Sequence, residues 1–411
     1  MLLRDYEPER DKDAVKRIWL EAGWLQPEQP RQEEAFEYFI GSGRGHVAEW
    51  NGSAECFVLA NPGTLQYQTH ELPLCNVAAV TTSRVARRMG LARRLTARAI
   101  AMAAAEGAAV STLGVFDQGF YNQLGFGTGS YLHWLVLDPA NIQVPVKARP
   151  PQRIGPEHWE AVHASRLARR RCHGSVNVLS PLFTRSGMVR LATSFGLGYF
   201  DGPNGELTHH IWMTAEAPRG PYHVLWMSYR TPAQFLELMA LLHQLSDQVR
   251  VVRMVEPAGI QMQDILARPF RMFRLQIEGG LTYGIYASGF WQARICNLDT
   301  CLEHTSFSAG PVRFNLRLSD PIEHYLDEGA PWRGIAGEYV VTIGPQCGAE
   351  KGHDPSLPTL EATVGSFTRL WLGVLPASSL AFTDHLHGPA ELLEQLDAVV
   401  RLPAPHVDWD L

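Results

Sequence analysis

The chain has 411 residues, 45% hydrophobic and 19% charged, with a formal net charge of −6. That is a globular composition, long enough for two or three domains. The acidic balance argues against general nucleic-acid binding, which asks for a basic domain, and is compatible with a cationic substrate. The cysteines at 56, 75, 172, 296, 301 and 347 form no Cys-x-x-Cys pair, so neither a zinc ribbon nor a thioredoxin motif is expected. The start is charged at Arg4 and Asp5 and reads as no signal peptide, so disulfides are not expected. No apolar run is long enough for a membrane span; the longest, 371–382, contains Pro376. The expectation is a cytoplasmic protein with no membrane and no nucleic-acid partner.

Residues 2–4 read as a strand, and 11–23 as a helix with Val15, Ile18 and Trp19 on one face. A second helix covers 33–41. Strands 45–49 and 54–60 join across Asn51-Gly52, a strong hairpin signal. Residues 75–82 are apolar or β-prone and read as a strand. Then comes Arg87-Arg88-Met89-Gly90-Leu91-Ala92, which fits Arg/Gln-x-x-Gly-x-Gly/Ala. Leu91, Leu95, Ala99 and Ala103 recur every four residues, giving a helix with one apolar face that Gly107 ends. Backbone N–H groups in the first turn of that helix lack partners within it and, with the helix dipole, favour an anion. Gly90 has no side chain to block a close approach. Arg87, Arg88, Arg93 and Arg94 add positive charge, although a solvated basic helix would carry the same arginines. A strand at 110–116 follows, then Phe120-Tyr121-Asn122-Gln123-Leu124-Gly125-Phe126-Gly127. A strand at 132–137 closes the unit.

The proline-rich stretch 145–156 reads as a linker. Beyond it, helices at 157–171 and 232–248 and strands at 224–229 and 249–255 repeat the order strand, helix, strand. No Arg-x-x-Gly-x-Gly lies between Tyr229 and Val249, so this unit is expected to hold no cofactor. The segment 291–303 reads as a strand leading into a helix. Strands at 312–318, 337–343, 360–364 and 366–372 and helices at 376–384 and 389–400 make a separate α+β domain. The polar loop 344–358 receives no role. His209 and His210, in an alternating stretch, read as one buried and one exposed residue rather than a metal pair. Asp384-His385-Leu386-His387 lacks a third placed ligand.

The order strand, Arg-x-x-Gly-x-Ala turn, helix, strand, Tyr-x-x-x-Gly-Phe resembles the GNAT superfamily of acetyl-coenzyme A-dependent N-acetyltransferases. The resemblance implies two parallel strands that splay apart, the cofactor's arm in the gap and its pyrophosphate on the turn. Over its whole length the chain resembles the Eis-like (enhanced intracellular survival) branch. The carriers are the segment beginning Trp291-Gln292-Ala293-Arg294, Leu370-Trp371-Leu372-Gly373, and the tail Pro405-His406-Val407-Asp408-Trp409-Asp410-Leu411. The implied fold class is mixed α+β: an active GNAT domain at 1–145, a degenerate GNAT-like domain at 146–288 and a sterol-carrier-protein-like domain at 289–411. A homo-oligomer, a hexamer built as a trimer of dimers, is implied as well.

Acetyl transfer requires that the amine lose a proton, the oxyanion be stabilised and the leaving thiolate be met by a proton or strong hydrogen bond. By resemblance Tyr121 is the general acid; otherwise it is a packed aromatic between Phe120 and Phe126. With phenol near ~10 and thiol near ~8.5, full donation is uphill by roughly 2 kcal/mol, so a strong hydrogen bond with late transfer is expected. The resemblance makes the terminal carboxylate of Leu411 the base, and Trp409 between two aspartates favours a docked tail over a frayed one. A backbone N–H around residues 80–82 is expected to hold the oxyanion. Acetyl-coenzyme A contacts are implied at Val80, Thr81, Thr82, Arg88, Met89, Gly90, Leu91, Ala92, Arg93, Phe116 and Asp117. The chain departs from the branch at Val115 and Phe116, where small residues are common. Trp24 and Phe36 are candidate walls of the acceptor pocket, or simple core, and Asp410 a candidate counter-charge for an aminoglycoside- or polyamine-like amine. Acetylation of protein lysines or N-termini, and non-catalytic coenzyme A or lipid binding, stay open as rivals.

Overall fold

The computed structural model describes residues 1–268, 270, 273–274 and 282–410. Its first sheet starts with β1 (Leu2–Asp5), β2 (Arg44–Trp50), β3 (Ser53–Tyr67) and β4 (His70–Thr82), paired antiparallel in that order. The Asn51-Gly52 hairpin lies where its sequence signal put it, with both residues at positive φ. β3 and β4 run well past the expected 54–60 and 75–82, because they form a second, long hairpin joined at Gln68. Pro62 and Gly63 masked this continuation in the sequence. β5 (Val110–Gly114) lies parallel to β4. Helices α1 (Pro8–Ala22), α2 (Pro30–Ile40) and α3 (Leu91–Ala105) pack on the sheet. α3 buries Leu91, Leu95 and Ala99 against Val58 and Val77.

The sheet continues not with 132–137 but with the strand Trp291–Ile295, antiparallel to β5, and then Gly127–Thr128. The strand Leu132–Leu137 instead enters the second sheet, between Val252–Val255 and Thr282–Ser288. The expectation that it closes the first unit is therefore corrected. The second sheet otherwise repeats the first: antiparallel strands, then a parallel pair, Tyr222–Ser228 and Val252–Val255, connected by the helix Pro232–Gln244. In each repeat the strand beside the parallel pair is supplied from the other side of the chain. Gly129 shows how tightly the exchanged strand sits, since a Cβ there would meet the Trp291 ring at 2.1 Å.

A third sheet is built on Val312–Ser319 and Gly337–Ile343. Residues 366–372, expected as a strand, are helical from Val364 to Trp371. Thr363 and Ser366 form a capping box that starts this helix, and Val364, Phe367, Leu370 and Trp371 are buried from it, a helical rather than alternating spacing. Helix 157–171 shortens to α4 (Trp159–Leu167), and α5 (Pro181–Val189) was not anticipated. The fold class is mixed α+β, with two sheet units of similar layout followed by a third. All six cysteines are free. Among the described residues no helix is long and apolar enough to cross a membrane, and no group of three or more His, Cys, Asp or Glu could hold a metal ion.

His209 and His210 are both buried, against the expectation of one exposed. Elements cover both faces of their strand: His209 meets Glu237 at 3.1 Å, and His210 lies between Ser165 and Trp226. Burial lowers His46 and His163 to about 4 and His210 to about 3.

Two predictions follow from the core. Arg294, on the exchanged strand, is fully buried with Asp320 at 2.7 Å. Asp320→Ala strands that guanidinium and should cost about 3–5 kcal/mol in denaturant unfolding; a loss below 1 kcal/mol would mean the pair does not hold the strand. The buried histidines have folded pKa values below the unfolded value of about 6.5, so the native state binds fewer protons. Their contribution is complete above that value and is lost as the pH falls towards 4. Each ring adds about 1.4 kcal/mol per pH unit to the slope. Denaturant midpoints at pH 7.5, 6 and 5 should fall in that order and fall less in His210→Gln.

Candidate active site

The parallel pairing of β4 and β5 runs from Leu74↔Val110 to Val77↔Leu113 and stops. Next along β4 is a bulge: Phe57 faces Thr81 and Leu59 faces Ala78, so Ala79 and Val80 together oppose Val58. Ala79 has φ +54°, uncommon for a residue with a side chain. β4 turns away from β5 here, and their diverging edges border a cavity of about 730 Å³.

Downstream of β4 the chain makes a turn with Arg88 at φ +64° and Gly90 at φ +76°. Gly90 is the N-cap of α3, no side chain caps this helix, and its first turn holds no acid. These N–H groups are thus free of the usual internal acceptors. Arg87, Arg88 and Met89 are exposed here. Arg93 points to Gln123 at 2.5 Å and Arg94 to Asp327 at 2.7 Å, so the arginine cluster is divided. Leu91 is buried and Ala92 half-buried. Thr81 is buried with its hydroxyl on the Ala79 carbonyl, and Thr82 bonds Cys56. The helix start in the second unit differs. There Thr231 accepts from the Gln234 N–H while the Gln234 side chain accepts from the Thr231 N–H, a closed capping box.

Tyr121 opens a short 3₁₀ turn after β5, with Gly125 at φ +79° ending it. Its ring is 2% exposed and packs edge-on against Phe120 and Phe126. It borders the cavity beside Val80, Gly114 and Phe116. Its hydroxyl has no hydrogen-bond partner among the described residues. Burial, with Asp117 nearby, pushes the phenol well above its ordinary range. Phe116 is 77% exposed at the cavity, while Asp117 is exposed and does not line it.

The far wall is aromatic. Trp19 meets Trp24, Phe36 and Phe39 edge-on, at 5.3, 4.9 and 5.5 Å between ring centres. Phe36 is buried and Trp24 38% exposed, and both line the cavity. The second unit contributes too. Trp226 donates to His210 Nε2 at 3.2 Å, stacks on Trp212, and has the Arg166 guanidinium 4.3 Å over its ring. Arg166 is buried, with Nη2 lacking a hydrogen-bond partner, and burial pushes its pKa down to about 10.

The tail docks on α4 and the segment after it. Arg169 grips Asp408 with two bonds of 2.8 and 2.6 Å, and the His406 N–H donates to the His173 carbonyl at 2.9 Å. Burial works to raise the Asp408 carboxyl, and Arg169 overrides it, holding the group below its ordinary value. Trp409 is buried under Arg166, whose guanidinium lies 3.9 Å over the ring. Asp410 lies 3.6 Å from Arg166 and lines the same cavity as Tyr121. Leu411 lies outside the described residues. The sequence reading missed Arg166, Arg169 and Trp226. The basic run Arg169-Arg170-Arg171 opposite an acidic tail was a visible signal, but nothing local linked the two.

A family match of the first unit supports an acyltransferase. Residues 4–129 match the acetyltransferase (GNAT) domain family, and so form a GNAT-type acetyltransferase domain. A conserved protein of unknown function from Enterococcus faecalis V583 is similar in fold, with a TM-score of 0.79 at 18% identity, over 100% of this chain and 99% of that one. So is a GCN5-related N-acetyltransferase from Anabaena variabilis, at 0.76 and 13%, covering 99% and 98%. Eis1 from Mycobacterium abscessus gives 0.75 at 14%, covering 100% of both chains. Comparison with curated proteins gives no match.

Docking of the tail predicts a direct readout. Asp408→Ala removes both Arg169 bonds, and carboxypeptidase should then shorten the chain at least ~10-fold faster than in the wild type, the factor expected for about 1.4 kcal/mol of lost docking. Equal digestion rates would show a tail held by other contacts.

Proposed function

We propose that the chain is an acetyl-coenzyme A-dependent N-acetyltransferase of small-molecule amines. The observation that carries this reading is one cavity that joins the open edges of β4 and β5, the unpaired Tyr121 hydroxyl and the docked acidic tail. The uncapped N-terminus of α3, with Gly90 and Arg88 before it, fits a pyrophosphate, and the bulge at Ala79 and Val80 fits the arm of the cofactor. Val80, Thr81, Thr82, Arg88, Met89, Gly90, Leu91, Ala92, Arg93 and Phe116 remain our assignment for that contact. Asp117 is the weakest member, since it does not line the cavity. Acetyl-coenzyme A supplies the acetyl group and a thiolate leaving group when bound. Tyr121 donates a hydrogen bond to that thiolate; its raised pKa keeps the proton on the phenol until late in transfer. A backbone N–H at the bulge holds the developing oxyanion. The carboxylate of Leu411 takes the proton of the amine; its neighbour Asp410 already borders the cavity.

We also propose the division 1–145, 146–288 and 289–411, with strands 132–137 and 291–295 exchanged across it. In this reading the second unit binds no coenzyme A, since its helix start is closed by Thr231 and Gln234. The third unit is proposed as sterol-carrier-like in fold alone. The cavity in its core, between Phe314 and Trp371, is about 10 Å³, too small for a lipid. A cytoplasmic homo-oligomer, a hexamer made of three dimers, completes the proposal; light scattering showing a monomer would contradict that assembly.

Tyr121→Phe should keep cofactor affinity and lower turnover by at least ~10²-fold. An active variant would leave Tyr121 as packing. Deleting Leu411, amidating it or extending the chain beyond it should abolish most turnover, while Leu411→Phe and Asp410→Asn retain it. Full activity in a C-terminally extended protein would transfer the base role to Asp410.

A further inference from the structure

The acceptor's chemistry is written in the charges of the cavity wall. An aminoglycoside or polyamine carries several ammonium groups, and each one moved out of water needs a carboxylate or an equivalent partner. Among the described residues that line the cavity, Asp410 is the one carboxylate, and it is shared with Arg166 at 3.6 Å. The cations are two, Arg166 on α4 and Arg190 just past α5. The Nη2 of Arg166 makes no hydrogen bond, only the 3.6 Å ion pair with Asp410, and its guanidinium lies over the Trp226 and Trp409 rings, so the charge of Asp410 is already matched before anything enters. Apart from Gln32, Ser186 and Tyr121 the rest is apolar, with Trp24 and Phe36 from the first unit and Phe183, Leu225 and Trp226 from the second. About 730 Å³ is ample for the reacting end of the donor and a small acceptor.

We infer that the acceptor is a monoamine with an apolar, preferably aromatic, body, and that polycations are discriminated against. This rests on the acetyltransferase reading and narrows its substrate class. One ammonium suits the site, since it loses its proton in the reaction and an aromatic face can hold it beforehand. The proposed base, the Leu411 carboxylate, is taken by the reacting amine, so a second ammonium on the same body would meet Asp410 already paired with Arg166, or an aromatic wall, with no free carboxylate of its own. Arg166 is thus a specificity-determining residue: it holds the charge of Asp410 and so denies that carboxylate to a second ammonium.

The test compares acceptors of equal size. Hexylamine and 1,5-diaminopentane have the same number of heavy atoms and differ by one cationic centre. Thiol release from acetyl-coenzyme A is followed with each, and with 2-phenylethylamine against spermidine and kanamycin. The expected result is a kcat/KM for hexylamine at least ~10-fold above that of the diamine, and a larger preference for 2-phenylethylamine over both polycations. Binding gives an independent readout: 2-phenylethylamine should quench the tryptophan fluorescence of the enzyme without donor, and spermidine should not at equal concentration. Equal or better use of the diamine, spermidine or kanamycin would overturn the inference and leave the acetyltransferase reading intact. Thiol release with no amine, although acetyl-coenzyme A binds, would overturn both.

Discussion

Strands β4 and β5 share hydrogen bonds only as far as Val77 and Leu113, and the whole site follows from where that pairing ends. Parallel strands linked by a helix normally continue side by side, with every backbone group satisfied by its neighbour. Here the extra residue at Ala79 and Val80 turns β4 aside, at the cost of a positive φ for alanine. The edges left open are short of partners and face a cavity rather than bulk core. Tyr121 stands at that cavity because β5 ends at Gly114 and the chain then makes a tight turn closed by Gly125.

The second unit shapes this site without duplicating it. It has kept the layout of strand, helix and parallel strand, yet its helix start is sealed by its own side chains. What it gives the first unit is a wall. His210 is too deeply buried to charge, so it accepts a hydrogen bond from Trp226 and fixes that ring. Trp226 in turn supports Arg166, which lies against Trp409 of the tail. The exchange of strands 132–137 and 291–295 holds both units in a single arrangement, and the buried Arg294–Asp320 pair ties the exchanged strand to the third unit. A site that draws on residues 24, 121, 166 and 410 requires that rigidity.

The local grammar of the chain was legible. Asn51-Gly52, the Arg-x-x-Gly-x-Ala turn and the four-residue period after Leu91 each predict their element, because hairpins, anion turns and amphipathic helices are short-range events. Tyr121 and Asp410 do border one cavity, as do Trp24 and Phe36, although Trp24 and Asp410 are 386 positions apart. Long-range pairing was less legible. Leu132–Leu137 reads as a strand on any pattern, but which sheet it joins depends on edges formed more than a hundred residues later. Residues 366–372 looked like a strand because their apolar density hides the helical period; the Thr363 capping box was the signal to weigh. The pairing of Arg169 with Asp408 spans 239 positions and leaves no local trace.

The central claim is that the gap between β4 and β5 receives the donor, with its thiol at Tyr121. A crystal structure of the protein with coenzyme A tests this most directly. The account predicts the pyrophosphate on the N–H groups that follow Gly90, the arm along Ala79 and Val80, and the sulfur within hydrogen-bond distance of the Tyr121 hydroxyl. Coenzyme A bound elsewhere, at the helix that starts at Pro232 or with its sulfur remote from Tyr121, would contradict it.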